Sequence, residues 1–233
     1  MNSLPEGYAA LVIGASGAIG SALVQALQAD PRCARVHGWS RNGSTAVDLL
    51  DEASIATAAA ALHDQGPLHL VVCATGVLQL DGHAPEKRLA DLDPALLARA
   101  YAVNAIGPAL LIKHLHDLLP TRERALFGVL SARVGSIGDN RKGGWYGYRA
   151  SKAALNMLLR TAAIEVARRR PLAVLVALHP GTVRSGLSSP IIGNAEAASP
   201  EQAARHLLAV LDALPAEGAS GTFAAWDGSA IVW

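Results

Sequence analysis

Cysteine is scarce in this sequence. The only two cysteines, Cys33 and Cys73, form no CxxC pair and have no pair of histidines nearby. A disulfide framework and a zinc site are therefore not indicated, and the eight histidines are scattered without a metal-ligand spacing. We expect no metal, and a reducing cytoplasm suits the two thiols.

An excess of charge of one sign is also absent. The chain carries 20 basic and 19 acidic residues, a net charge of +1, which leaves no electrostatic footprint for nucleic acid or an anionic membrane. The stretch MNSLPEGY lacks the features of a signal peptide, and no uninterrupted apolar run approaches the ~20 residues that span a bilayer. We expect a cytoplasmic protein with neither a nucleic-acid nor a membrane partner.

What the sequence does contain is a regular alternation of short apolar runs with longer Ala/Leu-rich segments of helical period. This pattern is typical of βαβ units in a parallel sheet, and a 51% hydrophobic share of 233 residues supplies one large core. We predict an α/β fold with a doubly wound, mostly parallel seven-stranded sheet and helices on both faces. The predicted strands lie near 8–13, 34–39, 45–48, 68–74, 124–131, 172–178 and 221–226, and the predicted helices cover 18–29, 52–64, 94–118, 147–168 and 200–214. Asp93 and Ser199, each followed by a proline, are predicted to cap the helices at 94–118 and 200–214.

The first predicted strand runs directly into a glycine-rich turn and then a helix. Gly14 permits the tight turn, Gly17 lets the backbone approach a pyrophosphate, and Gly20 lets the helix pack against the strand. This is the dinucleotide-binding pattern of a Rossmann fold, in which the helix N terminus faces the phosphates. The expected cofactor contacts here are Gly14, Ser16, Gly17, Ala18, Ile19 and Gly20.

The end of the second strand indicates which dinucleotide is preferred. An acidic residue at this point binds the 2′-hydroxyl of NAD, whereas Ser40 and Arg41 stand here and match the 2′-phosphate of NADP. We favour NADP(H), with NAD(H) as the alternative and a solvated loop position as the other interpretation of Arg41. Asp48 and Leu49, after the third strand, are expected at the adenine, although Asp48 is equally suited to capping a helix.

Tyr148 and Lys152 are four residues apart in a predicted helix, which puts a phenol and an ammonium on one helical face. A free phenol has a pKa of about 10, too high for an efficient base near neutral pH. A neighbouring ammonium favours the phenolate, so we expect Lys152 to lower the pKa of Tyr148. Tyr146 points away from Lys152 and is expected to serve as packing or as a substrate wall.

Together with the glycine turn, the segments YRASK at 148–152 and HPGTV at 179–183 resemble the short-chain dehydrogenase/reductase family over essentially the whole chain. The stretch SARVGSIGDNRKGGWYGYRASKAALN is similar to the branch that includes the C-factor signalling protein and the Sniffer-type carbonyl reductases. The resemblance implies that Tyr148 is the acid/base, that Lys152 tunes it and holds the nicotinamide ribose, and that Asn104 supports a proton relay at a helix kink. It also implies cofactor contacts from Ala74, Thr75, Gly76, Asn104, Tyr148, Lys152, Pro180, Gly181, Val183 and Ser185.

The sequence departs from the family pattern at the catalytic serine. Ala132 occupies that column, so a hydrogen bond to the substrate carbonyl is lost. Ser136, in the following loop, is the candidate replacement, and Ser131 remains the alternative if the strand end bulges. Two other columns also differ: CATG at 73–76 replaces the family's Asn-Asn-Ala-Gly, and Ser185 replaces a threonine.

The resemblance therefore implies an NADP(H)-dependent oxidoreductase that reduces a carbonyl or quinone of a small, mainly apolar substrate. A dinucleotide-binding signalling or regulatory protein with little turnover is the alternative, and a sugar epimerase is disfavoured because no substrate domain follows residue 185. We expect one domain over 1–233, with 1–120 mainly binding the dinucleotide, 121–233 carrying catalysis, and a lid at about 185–198. A homodimer or homotetramer through helices 94–118 and 147–168 is also expected.

Overall fold

A seven-stranded parallel sheet forms the centre of the protein in a computed structural model, which describes residues 1–186, 197–215 and 217–233. The strand order is β3-β2-β1-β4-β5-β6-β7, with every neighbouring pair parallel. The predicted doubly wound sheet is therefore confirmed. The strands are β1 Tyr8–Ile13, β2 Cys33–Ser40, β3 Thr45–Ala46, β4 Leu70–Cys73, β5 Ala125–Leu130, β6 Ala173–His179 and β7 Thr222–Ala225.

Helices cover both faces of the sheet. One apolar layer joins the sheet to α2, α4 and α5 through Ile55, Leu111 and Leu155, and the other joins it to α1 and α6 through Leu23 and Leu207. The central strands read as nearly continuous apolar runs because both of their faces are buried. The helices are α1 Ala18–Gln28, α2 Glu52–Ala60, α3 Pro94–Tyr101, α4 Gly107–Leu115, α5 Tyr146–Ala167 and α6 Pro200–Ala213.

The predicted helix at 94–118 is interrupted in the structure. A π-helical segment, Ala102–Ile106, separates α3 from α4, and a 3₁₀ turn, His116–Leu118, follows α4. Extra residues of this kind inside helices occur often at functional sites, and Asn104 lies in the middle of this one. The kink that the family resemblance implied is therefore present at the expected residue.

Most other boundaries differ from the sequence prediction by one or two residues. A larger difference occurs at α2, which ends at Ala60 rather than 64, and β3 contains two residues rather than four. The predicted caps are correct: the Asp93 carboxylate accepts two backbone N–H bonds at the start of α3. Ser199 and Gln202 form a capping box at the start of α6.

One helical stretch, Pro94–Leu118, is long and apolar enough to cross a membrane by length and composition alone. Its mean hydropathy over an 18-residue window is 1.5. Arg99 and Lys113 interrupt this stretch, so it is not the uninterrupted apolar run whose absence the sequence indicated. Such a helix is weak evidence for a membrane span, since the core helix of a soluble protein passes the same test. Here Leu111 and Leu115 pack against the sheet.

The chain reverses its winding direction at β1. β1 lies between β2 and β4, so the connections that leave these strands run in opposite directions along the sheet. The crevice outside the carboxyl ends of β1 and β4 is the place where open parallel sheets bind ligands. Gly14 follows β1 and Ala74 follows β4, so the glycine turn opens on this crevice.

Candidate active site

The glycine turn has the shape that a pyrophosphate site needs. Gly14 has a φ of +85°, and a Cβ there would come within 2.8 Å of the Ala74 carbonyl oxygen. Gly17 caps α1 without a side-chain hydrogen bond, and the first turn of α1 contains no acidic residue. The amide groups at this helix N terminus therefore meet no competing carboxylate, which fits a bound phosphate.

A cavity of about 370 Å³ lies at this crevice. Its walls hold a hydroxyl and a guanidinium at the end of β2, as a phosphate requires, and apolar side chains where an adenine ring would lie. The donor set therefore fits a dinucleotide. Ten of the sequence-predicted contacts line it: Gly14, Ser16, Gly17, Ser40, Arg41, Asp48, Leu49, Ala74, Thr75 and Gly76.

The remaining predicted contacts lie around the same edge of the sheet. Ala18, Ile19 and Gly20 open α1, and Pro180, Gly181, Val183 and Ser185 follow β6. Backbone bonds from Arg184 to Ala198 (3.0 Å) and from Ala198 to Thr182 (2.9 Å) join the two ends of the predicted lid. Most of that lid, residues 187–196, lies outside the described residues.

Asp48 does not cap the following helix. Asp51 is the N-cap of α2 and its carboxylate accepts the Ala53 N–H, whereas the Asp48 carboxylate accepts the Leu50 N–H at 3.0 Å. The capping interpretation of Asp48 was therefore wrong by three residues, because the chain makes one more turn before α2 begins. Asp48 faces the dinucleotide cavity instead.

Tyr148, Lys152 and Asn104 come together at the carboxyl ends of β4 and β5. The Lys152 ammonium donates to the Leu130 carbonyl at 2.9 Å. A Cβ on Gly76 would lie 3.3 Å from Lys152 Nζ and 3.4 Å from Asn104 Oδ1, so both side chains face this glycine. Tyr148 lies in the first turn of α5, one turn before Lys152. The π-helical segment and α5 thus bring the three predicted residues into one site.

Burial shifts the pKa of both titratable groups. It raises the pKa of Tyr148 to about 12 and lowers that of Lys152 to about 8, because a low-dielectric surrounding disfavours the charged form of each. The expected lowering of the Tyr148 pKa by Lys152 is not seen, because burial is the only cause of the shift and acts in the opposite direction. Tyr148 therefore keeps its proton near neutral pH and is prepared to act as an acid.

A second cavity, of about 300 Å³, has Tyr148 in its wall. The irregular stretch after β4 supplies most of this wall, at the edge of the sheet where open parallel sheets bind ligands. Val77 and Leu80 line both this cavity and the dinucleotide cavity. The apolar part of the lining is Val77, Leu78, Leu80, Pro85, Leu96 and Ala100, and the polar part includes His83, Glu86, Lys87 and Asp91.

Neither candidate serine shares the cavity of Tyr148. Ser131 is buried and donates to Asn156 Oδ1 at 2.7 Å. Ser136 is buried, accepts the Asp139 N–H at 3.1 Å, and lines a different cavity of about 560 Å³ together with Tyr146. Ala132 has an extended backbone, with φ −144° and ψ 144°. The structure brings Tyr148, Lys152 and Asn104 together but leaves both serines turned to other partners.

Leu80, Asp81 and Arg99 are among the residues of the dinucleotide cavity that had no sequence prediction. Leu80 and Asp81 belong to a tight hairpin, and Arg99 of α3 pairs with Asp81 at 3.6 Å. Asp81 has a φ of +49° and Gly82 a φ of +81°, which is typical of a two-residue Asp-Gly turn. The Asp-Gly pair was the available signal for this turn, but its position beside the cavity depends on the fold.

A family model described as enoyl-(acyl carrier protein) reductase matches residues 14–217. The chain is 36% identical over 188 residues to 1-hydroxy-2-glutathionyl-2-methyl-3-butene dehydrogenase of a Rhodococcus species, covering 80% of this chain and 78% of that one. It is 38% identical over 149 residues to C-signal of Myxococcus xanthus, covering 62% of this chain and 83% of that protein.

Solved structures share the fold. The NADPH-bound carbonyl reductase from chicken fatty liver superposes with a TM-score of 0.85 at 24% identity, covering 98% of this chain and 95% of that one. Carbonyl reductase Sniffer of D. melanogaster gives a TM-score of 0.83 at 22% identity, with coverage of 97% and 99%. With a family model over most of its length and a relative at 36% identity, the chain belongs to the short-chain dehydrogenase/reductase family of oxidoreductases.

Proposed function

We propose that this protein is an NADP(H)-dependent oxidoreductase that reduces a carbonyl or quinone of a small, mainly apolar substrate. The observation that carries this proposal is the common wall of the two cavities, where Val77 and Leu80 separate the dinucleotide cavity from the cavity of Tyr148. Hydride transfer needs a cofactor ring and a substrate side by side. Tyr148, Lys152 and Asn104 lie at this junction.

The roles of the residues follow from their surroundings. When bound, the nicotinamide supplies the hydride. Tyr148 holds a proton because burial raises its pKa to about 12, and it donates that proton to the carbonyl oxygen. Lys152, whose pKa burial lowers to about 8, binds the ribose and moves a proton towards the phenol. Asn104 holds the loop beside the site. Ser136 is the proposed carbonyl donor, a role that requires its loop to turn towards the substrate.

The proposed preference for NADP(H) rests on the end of β2. Ser40 and Arg41 both line the dinucleotide cavity, and a hydroxyl with a guanidinium binds a phosphate well. The chicken carbonyl reductase is described with NADPH bound, which agrees with this preference. We also propose that residues 1–120 mainly bind the dinucleotide and that residues 121–233 carry catalysis. Asn104 lies in the first part of the chain but contributes to the catalytic site.

The proposed substrate class follows from the walls of the Tyr148 cavity. They are mostly apolar and enclose about 300 Å³, enough for a compact carbonyl compound. The Rhodococcus relative is named for oxidising a glutathione-conjugated alcohol, so such a conjugate belongs among the test compounds. We also propose a cytoplasmic location.

We further propose a homodimer or homotetramer through the helical face of α4 and α5. Leu111, Leu115, Leu155 and Leu159 are buried against the sheet and belong to the core. The apolar residues that do remain exposed on this side are Tyr101, Ile106, Met157, Leu158 and Ile164. Replacement Met157→Glu should convert an oligomer to a monomer in light scattering, whereas an unchanged mass would exclude this face.

The test of the function is NADPH consumption with quinones, diketones, aromatic aldehydes and a glutathione conjugate, with NADH in parallel. Tyr148→Phe should abolish turnover while NADPH still binds, and Tyr146→Phe, two residues earlier, should leave turnover intact. Equal loss in both variants would contradict the role of Tyr148. Binding of NADPH without turnover by the wild type would favour the signalling candidate, which the 38% identity to C-signal and Ala132 support.

A further inference from the structure

The backbone that leads into the catalytic helix has an uncommon conformation. Gly143, Gly144 and Trp145 have φ values of +63°, +64° and +55°, so three successive residues are left-handed. For Trp145, a bulky residue, this conformation costs about 1 kcal/mol or more. Trp145 is also the N-cap of α5 and provides no side-chain hydrogen bond, and the first turn contains no acidic residue. The helix of Tyr148 therefore begins without a cap of its own.

Glu86 supplies the missing cap from the loop after β4. Its carboxylate accepts the Gly147 N–H at 3.1 Å, across 61 residues of sequence, and its backbone carbonyl accepts the Trp145 N–H at 2.5 Å. A Cβ on Gly147 would come within 2.8 Å of Glu86 Oε1, so glycine is needed there for the carboxylate to approach. An anionic acceptor at a helix N terminus is stabilising.

Arg149 holds the carbonyl groups of the same turn. Its guanidinium donates to the Gly144 carbonyl at 2.8 Å, to the Gly143 carbonyl at 3.1 Å and to the Val134 carbonyl at 3.4 Å. The N–H side of the left-handed turn is therefore bound by Glu86 and its C=O side by Arg149. These bonds hold the turn in a conformation that it would not adopt alone.

This left-handed turn also sets the orientation of the Tyr148 phenol. The rings of Trp145 and Tyr148 meet edge to face with centroids 6.3 Å apart, an arrangement that aromatic pairs favour. The position of the Trp145 ring depends on the backbone that Glu86 binds. Glu86 also lines the cavity of Tyr148, so one residue connects the substrate loop to the catalytic helix.

We propose that Glu86 is a positioning residue for Tyr148. It fixes the start of α5, and with it the direction of the phenol, through the Gly147 N–H and the Trp145 backbone. The inference rests on the proposed function, since Tyr148 must be the proton donor for its position to affect turnover. A displacement of about 1 Å of a reacting group can lower a rate about 100-fold, so the effect belongs in kcat rather than in cofactor binding.

The test compares Glu86→Ala with Glu86→Gln, and uses Glu6→Ala, which removes an exposed carboxylate before β1, as the control. We expect Glu86→Ala to lower kcat about tenfold or more, with NADPH affinity within about threefold of wild type. Glu86→Gln keeps an oxygen that accepts the Gly147 N–H and should recover most of the lost kcat. An unchanged kcat in Glu86→Ala, a parallel loss of NADPH binding, or no recovery in Glu86→Gln would overturn the proposal.

A spectroscopic measurement separates this proposal from the proposed function. The near-ultraviolet circular dichroism difference between a protein and its Tyr148→Phe variant isolates the signal of Tyr148, which is strong only while its ring is held in a fixed position beside Trp145. We expect this difference to be lost in the Glu86→Ala background and kept in the Glu86→Gln background. If wild type has no turnover, the proposed function fails, and this difference still decides whether Glu86 positions Tyr148. A full difference spectrum in the Glu86→Ala background would overturn the inference.

Discussion

Asn104 and Val77 are joined by two hydrogen bonds between one side chain and one backbone unit. Asn104 Oδ1 accepts the Val77 N–H at 2.8 Å, and Asn104 Nδ2 donates to the Val77 carbonyl at 2.9 Å. The second Nδ2 hydrogen goes to Ser151 Oγ at 3.1 Å. Both donor hydrogens of the carboxamide are therefore in use, so a proton relay at Asn104 would use its oxygen atoms. The Asn104 side chain also fixes the wall that the two cavities share.

Replacement Asn104→Ala should destabilise the fold. The residue is 1% exposed, and its removal leaves the Val77 N–H and carbonyl without their partner, at a cost of about 3 kcal/mol. Urea denaturation without cofactor measures this change. The exposed Asn42→Ala, in the turn after β2, is the matched control and should stay within about 0.5 kcal/mol of wild type. A loss below about 1 kcal/mol in Asn104→Ala would mean that water replaces the amide.

Replacement Arg41→Ala should change the choice of dinucleotide. A hydrogen bond to a charged phosphate contributes about 1.5–3 kcal/mol, so the Kd for NADPH should rise about tenfold to 100-fold. The Kd for NADH should hardly change because NADH lacks the 2′-phosphate. Fluorescence titration with both dinucleotides gives the ratio, and Arg122→Ala, exposed before β5, serves as the control. An equal rise in both Kd values would place Arg41 outside the 2′-phosphate site.

The buried Lys152 should make stability depend on pH. Its pKa falls from 10.5 to about 8 on folding, so between these values the unfolded chain binds a proton that the folded chain does not. The free energy of unfolding then rises with pH in this window. Lys152→Met lacks the titrating group. The free energy of unfolding of wild type, measured relative to this variant, should therefore increase by about 2 kcal/mol between pH 7 and pH 10. Urea denaturation at both pH values measures the gain.

The control for Lys152 is Lys113→Met, which removes an exposed ammonium that pairs with Glu52. Its stability difference from wild type should be nearly constant over the same range, because the Lys113 side chain is 61% exposed and its ammonium stays in water after folding. A pH-independent difference for Lys152→Met would show that the lysine keeps its ordinary pKa in the folded protein.

Local signals in the sequence predicted most of the fold and the centre of the site. The glycine turn, the Asp93 cap and the spacing of Tyr148 and Lys152 each lie within a few neighbouring residues, and all were predicted in the right places. Each signal has a local physical cause, such as a tight turn, a first-turn proline or a shared helical face. Asn104 was found through family resemblance rather than through periodicity.

The features that the sequence did not predict depend on distant partners. The π-helical segment 102–106 keeps a helical apolar spacing, so periodicity cannot separate it from the helices on either side. Glu86 looks like any loop carboxylate until folding brings it to Gly147, 61 residues away. Ser136 follows the expected strand, but its hydroxyl turns to the Asp139 N–H. Contacts of this range are set by tertiary packing rather than by local sequence.

A hydroxyl at position 132 should increase the rate of carbonyl reduction. Ala132 follows β5 with an extended backbone, in the column where the family has its serine. Ala132→Ser should therefore place a hydroxyl near the substrate oxygen. Losing one such donor costs about 100-fold to 1000-fold in kcat in other enzymes. We expect a gain of about tenfold or more here, because the surroundings are not shaped for the new group.

The rates of carbonyl reduction by Ala132→Ser, Ser136→Ala and wild type show which residue donates a hydrogen bond to the substrate carbonyl. A gain in Ala132→Ser with no loss in Ser136→Ala means that wild type works without a serine donor and relies on Tyr148 alone to polarise the carbonyl. A loss in Ser136→Ala means that the loop after β5 turns towards the substrate when the cofactor binds. No gain in Ala132→Ser would contradict the prediction, since a hydroxyl in that column would then fail to reach the carbonyl oxygen.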